Sequence, residues 1–189
     1  MSEKPTSRGR MVTAAAHLFQ RRGYHGTGLI EILEASGAPK GSFYHHFPDG
    51  KEQLAEVAMA MAGQLVAIAI EGAFANATSF SDGASRLTTE VADWFERSGF
   101  SEGCPVTSVL LETVPSSERL TIACQAIFQS WIAATEAHAL RLGRSDANTL
   151  ATGLLITLEG AWIVARAQRS RQPFEIAAAL LINSAERAS

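Results

Sequence analysis

Eleven residues constrain this chain more than any others: Gly37-Ala38-Pro39-Lys40-Gly41-Ser42-Phe43-Tyr44-His45-His46-Phe47. The stretch is basic, aromatic and free of carboxylates. The segment before it, Thr27 to Ser36, carries Leu29, Ile30, Ile32 and Leu33 on one apolar side, opens on a capping hydroxyl at Thr27 and closes at Gly37. Pro39 suits the first turn of a new helix, where its missing N–H is no loss. Two helices joined by a tight glycine-containing turn form a helix-turn-helix, whose second helix fits a DNA major groove with its N-terminal residues toward the bases. Here those residues are Pro39, Lys40, Gly41 and Ser42. Lys40 can bond guanine O6/N7 or a phosphate, and Ser42 either one. Gly41 lets backbone approach the duplex. Tyr44 and His45 reach phosphates or bases further along, while Phe43 and Phe47, four apart, anchor the helix in a core. Thr27 and Lys51, each at a helix start, place a hydroxyl, backbone N–H groups and a cation where a phosphate would bind.

A net charge of −3 argues against DNA as a partner, but its distribution argues the other way. Residues 1–51 hold seven Lys and Arg against four Asp and Glu; the remainder holds nine against fifteen. A basic head on an acidic body is the layout of a phosphate-binding module.

No segment sustains the period-two alternation of a strand. Helical spacing runs through the whole chain, so an all-α fold is expected: three small helices in an N-terminal head and about six longer ones in a body. Ser7 is placed to cap the first helix and Gly23 to end it. A long helix from Lys51 to about Ala73 links residues 1–50, the head, to residues 51–189, the body. The longest uncharged run, Leu120 to Thr135, is shorter than the about 20 residues needed to cross a bilayer, and no signal peptide stands at the N-terminus. A cytoplasmic protein with no membrane partner is expected.

In the body, Trp94, Phe95, Phe128, Trp131 and Trp162 fall on helices, which taken together suits a pocket for a planar or hydrophobic molecule, although each ring alone is better explained by packing. Glu112 stands in apolar surroundings where it can pair with a cationic ligand, although a solvated or hydrogen-bonded carboxylate explains it more simply, and Cys104 lies in the Gly-Cys-Pro break. The last two helices are apolar on nearly every side, which calls for burial on every side. Gly153 and Gly160, seven apart, would let a partner helix come close. With Leu154, Ala161, Phe174, Ala178 and Leu181 they form the expected seam of a homodimer. Cys104 and Cys124 lack the spacing of a zinc site, so neither a metal nor a cofactor is expected. Gly50-Lys51 lacks a phosphate-binding glycine loop, and no nucleophile or paired-carboxylate motif is present, so an enzyme is not expected.

Residues 8–54 resemble the DNA-binding head of TetR-family transcriptional repressors. The matching pieces are Leu18-Phe19-Gln20-Arg21-Arg22-Gly23-Tyr24, Gly26-Thr27-Gly28-Leu29-Ile30-Glu31-Ile32, the stretch Ser36 to Phe47, and Lys51-Glu52-Gln53-Leu54. Gly28 departs from the Thr or Ser of many members. Pro48-Asp49-Gly50, one residue longer than the common turn, resembles a drug- and flavonoid-responsive subgroup, as does Gly103-Cys104-Pro105-Val106. The resemblance implies a homodimer that binds a palindromic double-stranded operator and is released by a small-molecule effector. Two alternatives stand beside it: a helical protein-interaction module that does not bind DNA, and a redox-responsive regulator using Cys104 and Cys124.

Overall fold

The computed structural model describes the backbone of residues 6–187 and side chains to residue 181. Among the described residues there are nine helices and no strand: α1 Ser7–Arg22, α2 Leu29–Ser36, α3 Lys40–His46, α4 Gly50–Ala75, α5 Phe80–Arg97, α6 Thr107–Thr113, α7 Glu118–Arg141, α8 Ala147–Gln168 and α9 Gln172–Arg187. The all-α expectation holds.

The capping chemistry differs from the expected in two places. Thr6, not Ser7, caps α1, its hydroxyl accepting the Gly9 N–H at 3.1 Å. Gly28, not Thr27, is the N-cap of α2, where the Glu31 carboxylate accepts the Gly28 N–H. At the C-terminus of α2, Gly37 takes the left-handed conformation, φ +59°, which only glycine adopts without cost. Its N–H and that of Ala38 turn back onto the Glu34 and Leu33 carbonyls. The chain then changes direction within Ala38 and Pro39, and α3 begins at Lys40 with Pro39 as its N-cap.

The helices form two compact units. The first takes in the chain up to Gly63 together with Cys104–Ile127; the second takes in Gln64–Gly103 and the chain from Phe128 on. In the first, α1 packs on α2, α3 and α6. Met11, Phe19, Ile32, Phe43, Phe47, Leu54 and Leu120 are fully buried there. Burying such a ring contributes about 1.5–3 kcal/mol, against about 0–1 for an exposed ion pair. Apolar packing, not charge, therefore fixes how the three short helices sit together.

In the second unit α9 packs on both α5 and α8. Phe74 is fully buried, and a Cβ at Gly83 would overlap its ring, so the glycine lets α5 come down onto it. His138 stacks on Phe74 with centroids 5.4 Å apart, its Nε2 3.0 Å from the Glu71 carboxylate. Two helices, α4 and α8, are long and apolar enough to cross a membrane by length and composition, although 39% of each qualifying window is buried within the protein.

Candidate nucleic-acid interface

The α3 surface follows from its anchors. Phe43 and Phe47 are fully buried, with ring centroids 5.6 Å apart. Two anchors one turn apart fix which way a seven-residue helix faces. Pro39, Lys40, Gly41, Tyr44 and His45 are left exposed, Tyr44 at 60%. The Ser42 hydroxyl donates to the Pro39 carbonyl at 2.7 Å, capping the turn from within, and its lone pairs stay open to an incoming donor. Nothing lies within 4 Å of a Cβ built at Gly41 or Gly28, so both backbones are open to close approach. Behind α3, Arg10 Nε donates to the Ser36 carbonyl at 2.9 Å and the Arg8 guanidinium lies 5.4 Å from the Phe47 ring centroid. These two N-terminal arginines therefore brace the helix-turn-helix.

Thr27 and Lys51 do not offer the free groups expected of them. Thr27 is fully buried, and its hydroxyl donates to the Gly23 carbonyl at 2.8 Å. The Lys51 ammonium donates to the Tyr24 carbonyl at 2.6 Å and lies 4.2 Å from the Tyr24 ring centroid. Desolvation lowers the Lys51 pKa, with the Glu112 charge acting in the opposite direction. Burial, and then the Glu52 charge, raise that of Tyr24. Of the two readings of Glu112, the structure shows the hydrogen-bonded carboxylate. It lies on α6 in the first unit, where it accepts the His25 backbone N–H at 2.6 Å.

The body aromatics divide into two groups. Trp94 meets Trp162 edge to face at 5.4 Å, and Phe95 touches Phe100, Trp162 and Phe174. The Trp162 indole N–H donates to the Glu102 carbonyl at 3.1 Å. This cluster is packed, with Trp94 its half-exposed edge. Phe128 and Trp131 form a separate pair at 5.5 Å, Phe128 half-buried and Trp131 buried. A shallow surface depression of about 400 Å³ on α5 is lined by Ser85, Arg86, Thr89, Glu90, Asp93 and Arg97, none of them an expected ligand residue. Cys104 and Cys124 are both buried free thiols. Cys124 Sγ lies 3.8 Å from Met59 Sδ, and burial pushes its thiol up to about 11. A thiol so placed is neutral near pH 7, the opposite of a reactive redox cysteine.

Leu154, Ala161, Phe174 and Leu181, expected on a homodimer seam, are buried within their own chain. Among the described residues, the large apolar side chains that α8 and α9 leave exposed are Ile156, Ile163, Val164, Ile176 and Leu180; Gly160 is exposed too, and Gly153 and Ala178 are half-buried. Nothing lies within 4 Å of a Cβ built at Gly153 or Gly160.

Residues 12–58 match the family described as bacterial regulatory proteins, tetR family. Residues 81–180, more than half of the chain, match the transcriptional regulator LmrA/YxaF-like, C-terminal domain. The chain belongs to the TetR family of transcriptional regulators. This TetR-family chain is 33% identical over 175 residues to the HTH-type transcriptional regulator YxaF of Bacillus subtilis, covering 92% of each. It is 32% identical over 169 residues to LmrA of the same organism, covering 88% of this chain and 90% of that one. Among solved structures it resembles a TetR regulatory protein from Rhodobacter sphaeroides, with a TM-score of 0.83 and 22% identity over 93% of this chain and 96% of that one. It also resembles a cysteine-substituted form of the regulator CifR complexed with 26-bp operator DNA, with a TM-score of 0.78 and 24% identity over the whole of both chains. Family members are transcriptional regulators, not enzymes.

In this TetR-family head, sequence reasoning missed the pairing of Arg22 with Glu31 and the roles of His25 and Glu112. Glu31 stands three residues after its cap, a spacing visible in sequence. Nothing local marks the contact between residues 25 and 112.

Proposed function

We propose that this regulator is a cytoplasmic repressor that binds a palindromic operator as a homodimer and is released by a small hydrophobic or planar effector. In this reading residues 1–50 carry the DNA contacts. Residues 51–189 carry the effector and dimer contacts, and the helix beginning near Lys51 links the two. The observation that carries it is the α3 surface: Lys40, Gly41, Tyr44 and His45 are exposed around two fully buried phenylalanines, so the helix is rigidly anchored yet open on the side rich in donors. A two-fold dimer would set two such helices about 34–36 Å apart, one turn of duplex. The apolar residues that α8 and α9 leave exposed supply a face for the second copy. Trp94 and the Phe128–Trp131 pair are the aromatic side chains best suited to an effector; Glu112, engaged elsewhere, leaves that set. Release follows from linkage: an effector must prefer the DNA-incompetent dimer by about 5.5 kcal/mol to move the population from 1:99 to 99:1.

The test is selection of duplexes from a randomised pool with the full chain, followed by affinity measurement at two salt concentrations. Lys40→Ala and Tyr44→Ala each remove a contact worth about 1–3 kcal/mol, so affinity is expected to fall about fivefold or more at unchanged dimer mass and melting temperature. Affinities within twofold of wild type for both variants would exclude α3 as the reading element.

A further inference from the structure

Glu112 stands 87 residues beyond the turn between α1 and α2, yet its side chain ends there. Its Oε2 accepts the His25 backbone N–H, and its own carbonyl oxygen lies 3.2 Å from His25 Nε2. The carboxylate fills the space where a Cβ at residue 23 would stand, and Gly23, at φ +74°, leaves that space open. On the other side of the same turn the Lys51 ammonium holds the Tyr24 carbonyl and covers the Tyr24 ring. The Thr27 hydroxyl then closes back onto Gly23. The turn that joins α1 to α2 is thus tied to α6 by one carboxylate and to the start of α4 by one ammonium. Hydrogen bonds to ionised groups are about twice as strong as neutral ones. The His25 amide finds its acceptor outside the turn, and α6 supplies it.

We propose that Glu112 is a positioning residue for DNA binding: it fixes the turn from which α2 departs, and so sets where α3 stands. This rests on the DNA-binding reading above. It also makes a prediction opposite in sign to plain electrostatics. Removing an anion from a basic head strengthens phosphate attraction; removing a positioning group weakens binding.

The experiment uses full-length protein and a duplex that the wild type selects from a randomised pool. Glu112→Ala is expected to lower affinity about tenfold or more. Amide exchange at His25 accelerates, and the dimer mass is unchanged. Glu112→Gln keeps an acceptor for the His25 N–H and retains affinity within about threefold, on the scale of a single neutral hydrogen bond. Gly23→Ala reaches the same place from the other side and also weakens binding, and its loss and that of Glu112→Ala are less than additive in the double variant. Wild-type or tighter binding by Glu112→Ala overturns the inference. If that variant does not fold, wild-type affinity in Gly23→Ala overturns it equally. If the wild type selects no duplex at all, the proposed function fails, and the inference with it.

Discussion

The helices α3 and α8 both expose surface that a partner would cover, but only one of them announces it. In α3, cations, hydroxyls and imidazoles alternate with phenylalanines, and chemical contrast separates the two faces: Phe43 and Phe47 inside, Lys40 and Tyr44 outside. In α8 apolar side chains fall on nearly every side of the helix. Leu154 is 2% exposed and Ile156, two residues on, is 67% exposed, yet leucine and isoleucine carry the same hydrophobic signal. A face is legible in sequence when its inside and outside differ in polarity. Where both are apolar, only packing tells them apart.

The strongest way to break this comparison is through the α3 anchors. Phe43→Ala removes a fully buried ring and is expected to cost about 3–5 kcal/mol in denaturant unfolding. Its neighbour Tyr44, at 60% exposure, can be truncated with little effect on stability. Equal destabilisation by both would mean that α3 does not face as described. On α8 the corresponding substitution is Ile163→Asp. It places a charge on the exposed apolar face and is expected to convert the proposed dimer to a monomer in sedimentation, leaving the helix content of the protomer intact. Gly160→Ala sharpens the same point at smaller scale. Its Cβ meets nothing within the chain, so helix propensity raises protomer stability by about 0.5–1 kcal/mol, while close helix approach in a dimer would weaken self-association. The smallest effect belongs to Cys124. Its folded pKa lies above the ordinary 9.0, at about 11, so the stability it contributes is fully present below pH 9 and is lost as pH climbs between those values. The difference in melting temperature between wild type and Cys124→Ala should stay constant below pH 9 and shrink above it.

The helices themselves were readable because glycines, prolines and capping residues punctuate them. Gly23, Gly37 and Gly143 each take a positive φ at a helix end. What sequence could not give were contacts between distant residues. Thr27 has the composition of a cap and a phosphate ligand, but its burial beneath Gly23 depends on how the turn closes. Lys51 looks like a free cation until Tyr24 is folded beneath it. Glu112 looks like a carboxylate stranded in an apolar helix until α6 is laid beside α1.

The first unit is assembled from two stretches of chain, one ending at Gly63 and the other running from Cys104 to Ile127. This limits how such regulators can be recombined. A hybrid made by joining the first sixty or so residues to a foreign body would leave behind Glu112, Leu120 and Cys124, which are part of the unit those residues fold into. A graft that respects the fold needs three junctions, after Gly63, before Cys104 and after Ile127.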